Sequence, residues 1–215
     1  MSESEKVNEK SRVAILFGGA NSDNYRSCRQ FNDVLAALQK REFEVGAVGI
    51  TLEGAWIVFN DLVALSKSLA QKDYELTNES AAAIAGSEIT DFPPRVFIAY
   101  DVVFPLVLGA PGSDGRLAGL FESMGVRLVA SDSLGSAIAS DKSTIKLLLE
   151  AVEVATPKHV VVPDKAWRRD ALSSVVRAAS LKLPIVIKPC RGTNGVGITI
   201  VRFPRQMKDA VAIAR

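Results

Sequence analysis

Near its start this chain carries a strand, helix, strand rhythm that restricts the fold more than any other feature. Val13 to Phe17 is an unbroken β-rich apolar run that stops at Gly18-Gly19. Phe31, Val34, Leu35 and Leu38 then fall at i, i+3, i+4 and i+7, one apolar face at the helical period, with Lys40-Arg41 suited to the helix end. A second β-rich run occupies Val45 to Ile50. A continuous apolar strand, as opposed to an alternating one, is expected where both faces of a parallel sheet are covered. The three segments therefore predict a βαβ unit with a right-handed crossover, and with it an open α/β sheet that binds ligands at the carboxyl edge of its strands.

Trp56 to Phe59 reads as a hairpin strand, and the small-residue stretch 81–86 has no assigned structure. Val102 to Val107 predicts a further strand, followed by a Gly- and Pro-containing loop to Gly115, a helix over Leu117 to Met124 stopped by Gly125, and a strand at Arg127 to Val129. A second region begins near Ser131. Ile145, Leu148, Leu149 and Val152 mark one helix, and Trp167, Ala171, Leu172, Val175, Val176 and Ala179 another. Strands are expected at His159 to Val162, Ile185 to Lys188 and Ile198 to Val201, and a last helix from Arg205. The polar residues 1–11 are expected to be a disordered start, with domains at 12–134 and 135–215.

Lys and Arg total 26 against 24 Asp and Glu, a balance that favours neither nucleic acid nor an anionic membrane as a partner. The longest apolar run, Val96 to Ala110, is interrupted by Asp101 and Pro105 and predicts buried sheet, not a membrane span. Cys28 and Cys190 fit no metal or disulfide spacing, and no secretion signal is visible, so reduced thiols in a cytoplasmic protein are expected. His159 is the single histidine, which removes Ser-His-Asp triads and multi-histidine zinc sites, and His159 itself reads as a structural or surface residue.

The loop Arg191-Gly192-Thr193-Asn194-Gly195-Val196-Gly197 lies between two β-rich runs, and its glycines would let backbone N–H groups approach a phosphate, although a hairpin connection accounts for them equally well. Lys188 closes the preceding strand, where it could neutralise phosphate or simply snorkel to solvent. Lys142, taken alone, reads as a solvated helix-start residue. Asp23 places a carboxylate in the first βα turn, where an N-cap is the favoured reading and a ligand contact the other.

Together these segments resemble the D-alanine:D-alanine ligase family of ATP-grasp enzymes. The resemblance runs through Val13 to Gly19, through Gly49-Ile50-Thr51-Leu52-Glu53-Gly54-Ala55-Trp56, and through Asp101-Val102-Val103-Phe104-Pro105 with Gly112-Ser113-Asp114-Gly115 and Gly119-Leu120. Ser136-Ala137, Asp141-Lys142, Pro184 to Pro189 and Gly195-Val196-Gly197-Ile198 complete it. It implies a Rossmann-like N-terminal domain followed by the first part of an α+β ATP-grasp domain. It also implies ATP-dependent phosphorylation of one D-alanine carboxylate and attack by the amine of a second, giving the dipeptide for peptidoglycan. Lys142 and Lys188 would face the ATP phosphates, with Gly192, Thr193, Asn194, Gly195 and Gly197 in a mobile loop over them. Asp23, Ser113 and Gly195 would lie on the amino-acid side. A homodimer through the N-terminal domain is implied. The adenine-contacting strand and the Mg2+ ligands are expected beyond residue 215, so that this chain holds no metal ligand and reads as a truncated or incompletely recorded product.

Four positions depart from the family pattern. Asp23 stands for a glutamate that holds an ammonium, Leu108 for the histidine of an H-G pair, Ser113 for the glutamate of G-E-D-G, and Gly195 for the second serine of G-S-S-x-G. They leave open an ATP-grasp ligase for a different amino acid, or an inactive ligase-like binding or dimerisation protein.

Overall fold

The computed structural model describes residues 10–90, 92, 95–171 and 180–215. It divides into two compact units, Met1–Ala137 and Ile138–Arg215. No helix among the described residues is long and apolar enough to cross a membrane.

In the first unit β1 (Arg12–Gly18), α1 (Asn24–Lys40) and β2 (Glu44–Ile50) form the expected βαβ unit. β3 (Trp56–Phe59), α2 (Leu62–Leu69), α3 (Asn78–Ala82) and β4 (Ser87–Ile89) follow, then β5 (Val102–Pro105) and α4 (Arg116–Ser123). The sheet order is β4-β3-β2-β1-β5. β1 runs parallel to both β2 and β5, whereas β3 and β4 turn antiparallel at the edge. The sheet is thus mostly parallel. Residues 127–129 contribute a single parallel bridge, Val103 to Leu128, in place of the expected strand.

β1 is apolar throughout because both of its faces are covered. Ile15 and Phe17 pack with Phe31 and Leu35 of α1 and Leu65 of α2, while Ala14 and Leu16 pack with Leu117 and Phe121 of α4 and with Phe97. The Phe17 and Phe31 rings meet at 4.8 Å, tilted by 53°, and Phe97 and Phe121 meet edge to face at 4.9 Å. Each such aromatic pair adds about 1 kcal/mol beyond its area burial.

α5 (Ser133–Ser140) leads to the second unit, which holds α6 (Lys142–Ala151), α7 (Asp164–Arg169), β6 (Ile185–Ile187), β7 (Thr199–Val201) and α8 (Met207–Ile213). β6 and β7 pair antiparallel, and Ile185, Val201, Met207 and Ala210 form a small core beneath them. The expected strand His159 to Val162 does not form: these residues pair with no strand among the described residues and line a cavity instead. Of the face that predicts a helix through Trp167 to Ala179, α7 carries only Trp167: it ends at Arg169 and Asp170 is extended, and residues 172–179 lie outside the described residues, as do residues 1–9 of the polar start.

Candidate functional site

The first βα turn is built on asparagines. Asn24 is 1% exposed and its Nδ2 donates to the carbonyls of Gly19 (2.9 Å), Ile50 (3.3 Å) and Leu76 (3.3 Å), while Oδ1 accepts from the Leu76 N–H at 2.7 Å. Asn21 Nδ2 donates to the carbonyls of Leu108 and Ala110, tying this turn to the loop after β5. Gly18 sits at φ +83°, and a Cβ there would lie 2.2 Å from the Ile50 carbonyl oxygen, so the approach of β1 to β2 requires glycine. Thr51, fully buried, donates its hydroxyl to Asn78 at 2.8 Å and accepts from the Ala55 N–H, closing the β2–β3 hairpin.

Asp23 takes the N-cap position of α1, but its side chain makes no cap hydrogen bond, which corrects the sequence-based cap reading. The carboxylate is 4% exposed and pairs with Arg26, Nη1 to Oδ1 at 3.2 Å. Arg26 Nε also donates to the Tyr25 hydroxyl at 2.9 Å, and that hydroxyl, ahead of Asp23, raises the guanidinium pKa further. Leu108 is half-buried and Ser113 exposed, with the Ser113 N–H bonded to the Gly109 carbonyl. Asp114 pairs with Arg116 at 2.7 Å.

In the second unit Asp141 caps α6, Oδ1 accepting from the Ser143 and Thr144 N–H groups and from the Ser143 hydroxyl. The Ser143 hydroxyl first, then the Thr144 N–H and the Arg191 guanidinium, hold its carboxyl well below the usual carboxylate range. The same residues fasten the glycine-containing loop. Arg191 Nε reaches Asp141 Oδ2 at 3.0 Å, the Lys142 N–H donates to the Cys190 carbonyl at 2.9 Å, and Lys142 Nζ donates to the Gly192 carbonyl at 2.9 Å. Gly192, Asn194, Gly195 and Gly197 all have positive φ, so the loop turns repeatedly through conformations that few side chains adopt. Thr193 is exposed, and its carbonyl accepts from the Val196 N–H.

A cavity of about 720 Å3 opens beside this loop. Its wall is apolar, with Val160, Val162, Trp167, Ile185 and Met207, and Lys142 and Lys188 lie on its lining. A flat apolar group with a polyanionic tail suits such a lining. His159 is on the wall too, Nδ1 3.3 Å from Glu150 Oε1. Lys142 and Lys188, found separately in the sequence, thus share one cavity. The pairing of Asp141 with Arg191 was missed there, because a helix cap and a surface charge carry no sign of a contact across fifty positions. Asn21 and Asn24 were missed for the same reason, and Arg26 because an ion pair at i and i+3 looks like an ordinary solvated helix face. No group of three or more His, Cys, Asp or Glu among the described residues could hold a metal ion.

Residues 12–131 match the family described as D-ala D-ala ligase N-terminus. The D-alanine–D-alanine ligase of Mycobacterium ulcerans is 32% identical over 230 residues, covering 100% of this chain and 59% of that protein. The one from Mycobacterium tuberculosis strain H37Rv is 33% identical over 227 residues with the same coverage. The crystal structure of the VanG D-Ala:D-Ser ligase from Enterococcus faecalis superposes with a TM-score of 0.78 at 24% identity, covering 96% of this chain and 60% of that one, a likeness of fold. The chain therefore spans about 59% of the length of the curated relatives it matches. With more than half of its residues inside the family match and its whole length aligned to these relatives, the chain belongs to the D-alanine–D-alanine ligase family.

Proposed function

We propose that this chain forms the acid-binding and phosphate-binding part of an ATP-dependent carboxylate–amine ligase that joins two D-alanines for cell-wall synthesis. The observation that carries the reading is the cavity where Lys142 and Lys188 sit on an apolar wall beside a glycine-containing loop, in a member of this family. A carboxylate is a poor electrophile until it is phosphorylated, and phosphoryl transfer depends on holding the phosphates and neutralising developing charge. Lys142 and Lys188 supply positive charge, and Gly192, Thr193, Asn194, Gly195 and Gly197 supply backbone N–H groups. Asp23 would hold the ammonium of the first amino acid, with Ser113 and Gly195 on the amino-acid side. The proposed domains are 12–134 and 135–215, in a cytoplasmic homodimer joined through the first. The resemblance implies Mg2+ as a cofactor beside ATP.

A second reading, a ligase for a different amino acid, is favoured by the exposed, uncharged Ser113 and the apolar Leu108. The product of the native gene, incubated with ATP, Mg2+ and single amino acids, should release phosphate and yield D-alanyl-D-alanine, and Lys188→Ala should suppress both. Phosphate release with another amino acid but not with D-alanine selects the second reading. No release with any acid removes both.

A further inference from the structure

The carboxylate proposed to receive an ammonium already holds a cation of its own chain. Asp23 is 4% exposed, and Arg26, three positions along the first turn of α1, sets Nη1 3.2 Å from Oδ1. The guanidinium is braced from a second side, for its Nε donates to the Tyr25 hydroxyl at 2.9 Å and its carbon lies 5.6 Å from the Tyr25 ring centroid. A planar fork held by both a carboxylate and an aromatic face loses little further freedom on pairing. An incoming ammonium must displace a tethered competitor, and a short tether raises the competitor's effective concentration to the millimolar range or above. The two cations also repel each other if both crowd the same carboxylate.

We propose that Arg26 is a specificity-determining residue: as a built-in counter-cation on Asp23 it cancels the advantage of an α-ammonium, so that the first position takes α-hydroxy acids of D-alanine's size about as readily as D-alanine. This rests on the reading of Asp23 as the ammonium anchor. The reaction itself is unchanged. The γ-phosphoryl group of ATP passes to the carboxylate oxygen and ADP leaves; the amine nitrogen of D-alanine then bonds to the acyl carbon as the C–O bond breaks, phosphate departs with that electron pair, and the amine proton passes to solvent.

The test uses the product of the native gene with ATP, Mg2+ and equal D-alanine and D-lactate, with D-lactyl-D-alanine and D-alanyl-D-alanine separated by mass spectrometry. The unmodified protein should make the two in amounts within about threefold of each other. Arg26→Ala should shift the ratio toward the dipeptide by about tenfold, equivalent to 1.36 kcal/mol, by lowering KM for the first D-alanine with kcat retained. Arg26→Lys, which keeps the charge without the fork, should shift the ratio less than Arg26→Ala. Arg26→Gln, which keeps a hydrogen-bonding side chain without the charge, reads the same shift if the alanine variant does not fold. A strong dipeptide preference in the unmodified protein, or an unchanged ratio in both neutral variants, overturns the inference and leaves the ligase reading standing. No phosphate and neither product overturns the ligase reading and the inference together.

Discussion

Lys142 Nζ donates to the Gly192 carbonyl at 2.9 Å across fifty positions of sequence, so the lysine proposed to meet phosphate is also a fastening of the loop proposed to cover it. Asp141 and Arg191 make the neighbouring fastening at 3.0 Å. The start of α6 and the loop after β6 therefore act together.

Lys142→Met keeps the apolar stem and removes the ammonium. A charge-assisted bond at an exposed position contributes about 1 kcal/mol, which is roughly a fivefold change in an opening equilibrium. Limited proteolysis should cut between Arg191 and Gly197 several times faster in this variant, and ATP should bind more weakly. An unchanged cutting rate would show that the bond does not hold the loop.

Asn24→Ala removes five side-chain hydrogen bonds at once, one of them from the Cys28 thiol, and takes their amide partner from the Leu76 N–H and the Gly19 carbonyl inside the unit. Each buried group left unmade costs about 1 to 3 kcal/mol, so urea unfolding should show a loss of at least about 2 kcal/mol. A loss below about 1 kcal/mol would mean that water replaces the amide.

Gly18→Ala and Gly195→Ser separate contact from backbone strain. Both glycines have positive φ, +83° and +79°, but only Gly18 has an atom in the way, the Ile50 carbonyl oxygen at 2.2 Å, whereas nothing lies within 4 Å of a Cβ on Gly195. A left-handed conformation costs a non-glycine residue about 1 to 2 kcal/mol. Gly195→Ser should show only that cost, and Gly18→Ala clearly more, in equilibrium unfolding of each variant.

Burial pushes the Cys28 thiol up from 9.0 to about 12. The folded state therefore keeps a proton that the unfolded chain gives up above pH 9. The stabilisation is fully present below pH 9 and is lost between 9 and about 12, on the order of 4 kcal/mol in all, since one pKa unit is 1.36 kcal/mol. Cys28→Ala should flatten this part of the stability profile. Iodoacetamide at pH 8 should label the exposed Cys190 and leave Cys28 untouched until urea is added. Equal labelling of both thiols in the folded protein would contradict the burial.

The βαβ unit was legible because Val13 to Phe17 and the Phe31, Val34, Leu35, Leu38 face are periodic, and periodicity reports burial directly. The antiparallel turn of β3 was only half legible: Trp56 to Phe59 reads as a hairpin strand, but the buried Thr51 that closes the turn looks like any loop threonine. His159 to Val162 misled, since an apolar run shows that a segment is covered without showing by what. At the site, the family resemblance singled out Lys142 and Lys188, whereas by chemistry alone Lys142 reads as a solvated helix start. Arg26 did not stand out, because oppositely charged residues at i and i+3 usually mark a solvated helix face, and the 4% exposure of Asp23 follows from tertiary packing.

Asn24 also has a consequence for the time course of folding. Its amide joins the first turn to residues 26 and 52 positions away, so the turn cannot take its final geometry until the chain through Leu76 has come in. Local helix α1 can form early, but contacts of such sequence separation close late and slowly. The Asp23 turn is thus among the last features of the unit to mature, and a nascent chain emerging from the ribosome would carry it unformed until Leu76 and its neighbours are available.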